Sequence, residues 1–142
     1  MYLRAVTVVF ALPMPALMCG CGGSDHICFV EDEFPCCALV LEVPDSINAA
    51  ETIDAFVSGY AGTGCDRFDR IEREMIAGKW ILRPIARRGR PPMGSVCNRG
   101  MVHFQHTVTL AAPDIGWVHI EVQSSCPALL DSTYVRPEPG RR

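Results

Sequence analysis

VHFQHTVTLAAPDIGWVHIEV, residues 102–122, decides the fold class of this chain. Val102, Phe104, Val108 and Leu110 alternate with His103, Gln105, Thr107 and Thr109, and only His106 interrupts the apolar side. Side chains of a strand point to opposite faces with period two, so this stretch reads as a strand buried on one face. Ala111-Ala112-Pro113-Asp114-Ile115-Gly116 follows, with the proline, aspartate and glycine that turns require. Val118, Ile120 and Val122 then alternate with Trp117, His119 and Glu121. Together they read as two antiparallel strands joined by a short loop.

The same pattern extends outward. Ala38 to Val43 is a short apolar run closed by Pro44-Asp45-Ser46, which suits a buried strand. Ile71 to Ile76 and Trp80 to Ile85 flank Ala77-Gly78-Lys79 as the arms of a hairpin. Ile27 to Val30 and Tyr134-Val135 add two shorter segments. Two stretches admit a helix. Ala49-Ala50-Glu51 favours one before the alternating Ile53, Ala55, Val57 and Gly59. Phe68, Ile71 and Met75 stand at helical spacings of three and four. Their neighbours are strands separated by turn signals, so both stretches are read as strands, and the chain as an all-β sandwich or barrel.

The N-terminus carries an address. Arg4 is followed by an uncharged, mostly apolar run from Ala5 to Met18, the build of a secretory signal. The run is too short to cross a hydrocarbon core of about 20 helical residues, and Pro13 and Pro15 break it. Leu17-Met18-Cys19-Gly20-Cys21-Gly22-Gly23-Ser24 follows. It resembles the cleavage region of bacterial lipoproteins, in which a cysteine after small residues becomes the lipid-modified first residue. Met18 before Cys19 departs from that pattern, whereas Gly20 before Cys21 fits it. The resemblance implies lipidation at Cys21, with Cys19 as the alternative, and attachment to a membrane. Ordinary cleavage nearby would give a soluble secreted or periplasmic protein instead. The expected organisation is a signal segment over 1–20, a tether over 21–26, a β-sandwich over 27–136 and a tail over 137–142.

Of the eight cysteines, loss of Cys19 and lipidation of Cys21 leave Cys28, Cys36, Cys37, Cys65, Cys97 and Cys126. That even number suits bridges in an oxidising compartment, in 15 alternative pairings. Cys65 and Cys97 are the favoured pair, because both stand at loop positions beside the proposed hairpin. Such a bridge stabilises by roughly 3–4 kcal/mol through loop-closure entropy. Cys28, Cys36, Cys37 and Cys126 are expected to form the other two bridges. A bridge between the adjacent Cys36 and Cys37 would be strained, so each is expected to have a distant partner.

A strand ending in Gly64-Cys65, a polar hairpin, a proline-rich loop into Cys97, and two alternating strands about a Pro-Asp-Ile-Gly turn also form a larger pattern. It is similar to the small immunoglobulin-like β-sandwich domains of bacterial envelope and secreted proteins, over roughly positions 38–123. The resemblance implies an antiparallel sandwich of about seven strands. The Cys-Trp-Cys order of antibody-type domains is not reproduced.

No nucleophile elbow, zinc-protease, P-loop or dinucleotide motif is present. Neither a cofactor nor a metal is expected, since no Cys-x-x-Cys occurs and His103 and His106 fall on opposite faces of a strand. A net charge of -3 gives no electrostatic case for nucleic acid. Asp66, Asp69, Glu72 and Glu74 interleave with Arg67, Arg70 and Arg73, which reads as a self-neutralising surface and not as a pair of catalytic acids. Arg87, Arg88 and Arg90, near Arg83 and Arg99, are the candidates for contact with lipid headgroups, an anionic polymer or an acidic envelope protein. The sequence thus points to an exported, lipid-anchored envelope protein with a binding or structural role. A soluble binding protein or inhibitor and a small envelope enzyme are the alternatives.

Overall fold

The computed structural model describes residues 28–138 and 140, with side-chain burial from residue 32 onward. The signal segment, the tether, Cys19 and Cys21 lie outside the described residues. Nine strands form among the described residues. They are β1 Cys28–Pro35, β2 Cys37–Glu42, β3 Ser46–Asn48, β4 Thr52–Thr63, β5 Arg67–Ile76, β6 Lys79–Arg90, β7 Met101–Ala111, β8 Gly116–Val122 and β9 Leu129–Arg136. The described residues are all-β: of the stretches that admitted a helix, Ala49-Ala50 is a turn leading through Glu51 into β4, and the rest is strand in β4 and β5. The count exceeds the expected seven because the N-terminal region supplies three separate strands.

Two sheets result. The smaller runs β2-β4-β7, antiparallel throughout. The larger is organised by β6. One edge of β6 holds β5 along residues 79–87. Its other edge holds β8 over 79–82 and β1 over 85–90, so β8 and β1 lie end to end. β9 and β3 continue beyond β8. The pairs β6·β8 and β3·β9 are parallel.

One core lies between the sheets. Ile53, Val57, Phe104, Val108 and Leu110 come from the smaller sheet, and Leu82, Ala86, Ile120, Val122 and Val135 from the larger. Each large aliphatic side chain taken from water contributes about 1.5–3 kcal/mol. β4 shows the pattern most plainly, with Ile53, Ala55, Val57 and Ala61 buried.

Three local expectations are corrected. β7 and β8 are not partners: the loop between them crosses from the smaller sheet to the larger. Alternation places one face of each strand in the core but does not say which sheet it joins. The run from Ala38 is not buried throughout, since Leu39 is 51% and Val40 38% exposed. Its register shifts between Ala38 and Val40, so the bulge inserts Leu39 and reverses the alternation. In β5 the register likewise shifts between Phe68 and Arg70. The extra residue Asp69 puts Phe68 and Ile71, three apart, on the core side, and this imitates helical spacing.

The β5–β6 hairpin turns on Ala77 (φ 49°) and Gly78 (φ 77°), with Ile76 paired to Lys79. Two positive φ values are what a type I′ turn needs to match the twist of its arms.

Candidate functional site

The cysteines fall into three environments. Cys65, buried just after β4, is bridged to Cys97 in the loop before β7, with Cα atoms 5.2 Å apart. Beside the bridge the Gly64 amide donates to the Asn98 carbonyl at 3.0 Å. Asp66 accepts from the Thr63 amide at 2.9 Å and from the Gly89 amide at 3.3 Å, which fixes the turn carrying Cys65. Cys37, at the start of β2, is bridged to Cys126 beyond β8, with Cα atoms 4.9 Å apart. β2 and β4 approach so closely here that a Cβ on Gly59 would lie 2.0 Å from the Cys37 carbonyl oxygen.

Cys36 is a free, buried thiol, which corrects its expected place in a bridge. It stands where the chain leaves β1 in the larger sheet for β2 in the smaller. Its amide donates to the Pro84 carbonyl and its carbonyl accepts from the Ser125 amide, each at 2.9 Å. Those bonds hold the backbone so that Cys37 turns toward Cys126 and Cys36 into the apolar core. Burial pushes the Cys36 thiol up to about 11, because a thiolate there would be desolvated. The side chain of Cys28 lies outside the described residues.

The arginines are divided by the pleat. Arg87 lies on the outer face of the larger sheet, 3.2 Å from Asp69 and 3.5 Å from Glu33. Arg70 meets Glu33 at 2.8 Å and both Asp69 and Glu72 at 2.6 Å. Hydrogen bonding from Arg70 holds the Glu33 and Asp69 carboxyls below their ordinary range. Arg83 pairs with Glu74 at 3.0 Å, and Lys79 with Glu121, so the outer face is covered by a charged lattice. Arg88, next along β6, turns the other way and stands 5.2 Å from the centre of the Phe34 ring. Arg90 shares the phase of Arg88 and is exposed. Of the three arginines named from sequence, Arg87 is therefore paired with carboxylates and Arg88 rests on the Phe34 ring, and neither Arg88 nor Arg90 has a carboxylate partner among the described residues.

His103 and His106 also separate. His103 lies 4.4 Å from the Tyr60 ring, its direct cross-strand partner. His106 lies 5.3 Å from Phe68, which itself stacks on Phe104 at 4.9 Å. No group of three metal-binding side chains converges among the described residues.

One feature passed over in the sequence is an exposed aromatic pair. Trp117 and Tyr134 face each other across β8 and β9, rings 5.3 Å apart and edge to face. The signal was present, since Trp117 alternates with the core residue Val118 and so had to face solvent. Nearby, Ala49, Ile115, Pro137 and Glu138 line a hollow of about 310 Å³. No protein-family model, curated protein or solved structure matches this chain.

Proposed function

We propose that the chain is an exported, lipid-anchored protein of the bacterial cell envelope, whose immunoglobulin-like sandwich has a binding or structural role. The observation that carries this reading is the pair of disulfides, Cys37–Cys126 and Cys65–Cys97, in a domain that follows an export-type segment. Disulfides of this kind persist in oxidising compartments. The all-β architecture with two sheets about one core supports the sandwich reading, though the parallel β6·β8 pair departs from a purely antiparallel arrangement. The free Cys36 removes the parity argument for Cys21, so Gly20 alone favours Cys21 over Cys19 as the anchor. The membrane is the first partner, reached through the lipid. Arg88 and Arg90, exposed on β6, are the contacts offered to an anionic polymer or an acidic envelope protein.

Intact-mass measurement of the protein recovered from its native envelope tests the reading. A diacyl or triacyl mass on an N-terminal Cys21 is the expected result. A bare N-terminus would overturn the anchor and leave the soluble secreted alternative, whereas acylation at Cys19 would relocate it.

A further inference from the structure

Sheet edges are open templates unless the protein guards them. β3, at one end of the larger sheet, is only three residues long. That sheet's other edges are β1, whose sequence includes Glu31, Asp32, Glu33 and Pro35, and β5, which carries Arg67, Asp69, Arg70, Glu72, Arg73 and Glu74. β2 is tied to the segment after β8 by the Cys37–Cys126 bridge and ends two residues before Pro44. β7 has none of these guards. It is eleven residues long, pairs with β4 alone, and contains no Lys, Arg, Asp, Glu, Pro or Gly.

Side-chain bonds show which backbone groups of β7 face outward. Arg73 Nη1 donates to the Thr109 carbonyl at 2.6 Å, and Trp80 Nε1 donates to the Ala111 carbonyl at 3.1 Å. In an antiparallel ladder the N–H and C=O of alternate residues point to opposite edges. The odd-numbered residues of β7 therefore turn these groups away from β4. Arg73 and Trp80 cap the C-terminal end, and His103, Gln105 and Thr107 have no backbone partner on that edge among the described residues.

We propose that β7 is a dimerisation edge, on which the β7 of a second copy of this chain pairs antiparallel about a two-fold axis at Gln105. Gln105 then faces the partner's Gln105, and His103 faces the partner's Thr107. The open stretch is symmetric about Gln105, so one alignment joins its three facing pairs through about six N–H···O bonds. The next position brings Met101 opposite the partner's Thr109, whose carbonyl is already taken in each copy by Arg73, and pairing ends there. The neutral strand meets no like charge when paired with itself. The three-stranded sheets of two copies become one six-stranded sheet. This inference does not depend on the lipid anchor.

Sedimentation velocity of the full chain at tens of micromolar tests it. The wild type is expected to sediment as a dimer. Gln105→Lys places two ammonium groups across the axis and is expected to halve the mass with an unchanged far-UV circular dichroism spectrum. Gln105→Pro removes an N–H that β4 does not use, so an edge proline is tolerated and the same halving is expected. Gln105→Cys is expected to form a covalent dimer, because facing Cα atoms of a bonded pair lie about 5.5 Å apart, within bridging range. A monomeric wild type, or a dimer that persists in folded Gln105→Lys, would overturn the proposal.

Discussion

Cys36 and Cys37 are neighbours in the chain whose side chains face opposite ways: Cys37 is bridged to Cys126, and Cys36 is 1% exposed in the core. The first fastens the smaller sheet to the end of β8, and the second fills space between the sheets. Cys36→Ser keeps both bridges but puts a hydroxyl among apolar groups, an expected cost of about 1–3 kcal/mol in urea unfolding. Native protein should resist a maleimide at Cys36 and react after denaturation. Burial raises the Cys36 thiol from an ordinary 9.0 to about 11. Above the ordinary value the unfolded thiol ionises while the folded one stays neutral, so stability should fall as pH rises from 9.0 toward about 11. Cys36→Ala should flatten that part of the profile.

The two bridges close loops of different length, 89 residues apart for Cys37–Cys126 and 32 for Cys65–Cys97. Loop-closure entropy ranks them at about 4.6 and about 3.7 kcal/mol respectively. The Cys37→Ala, Cys126→Ala protein should therefore melt lower than the Cys65→Ala, Cys97→Ala protein. Calorimetry of the two double variants would reverse this ranking if native strain dominated.

Arg70 holds Glu33 and Asp69 below their ordinary range, mainly by hydrogen bonding. A depressed carboxyl stabilises the fold above its unfolded value, and that contribution disappears as pH falls through the lower folded value. Wild-type urea midpoints should accordingly decline as pH drops below the usual carboxylate range. Arg70→Gln should lower the midpoint at neutral pH and shrink this acid dependence. An unchanged slope in the variant would remove Arg70 as its source.

Thr133 is fully buried in β9, and its hydroxyl has no hydrogen-bond partner among the described residues. Replacing Thr133 with Val keeps the branched shape and removes the stranded oxygen. The variant is expected to gain about 1 kcal/mol in urea unfolding. A loss of stability would show that the hydroxyl is satisfied in solution.

The sequence by itself determined the all-β class, because alternation is a local property. Phe104, Val108 and Leu110 in β7, and Val118, Ile120 and Val122 in β8, are on the buried face that their period implied. Ala77-Gly78 marked its turn for the same reason, since positive φ is a demand made on the residues that bear it. The outward place of Trp117 was equally legible. Only the tertiary structure decided which sheet each strand joins, and hence that β7 and β8 part company. Bulges were hidden as well: one extra residue at Asp69 or Leu39 reverses the side-chain phase, and its effect appears only against a partner strand. The partition of the cysteines has the same cause. Whether a thiol meets another depends on where a distant strand places its Cβ, so adjacent Cys36 and Cys37 came to opposite ends. The arginines of β6 were likewise separated by the pleat and by acids on β1 and β5, contacts between segments far apart in the chain.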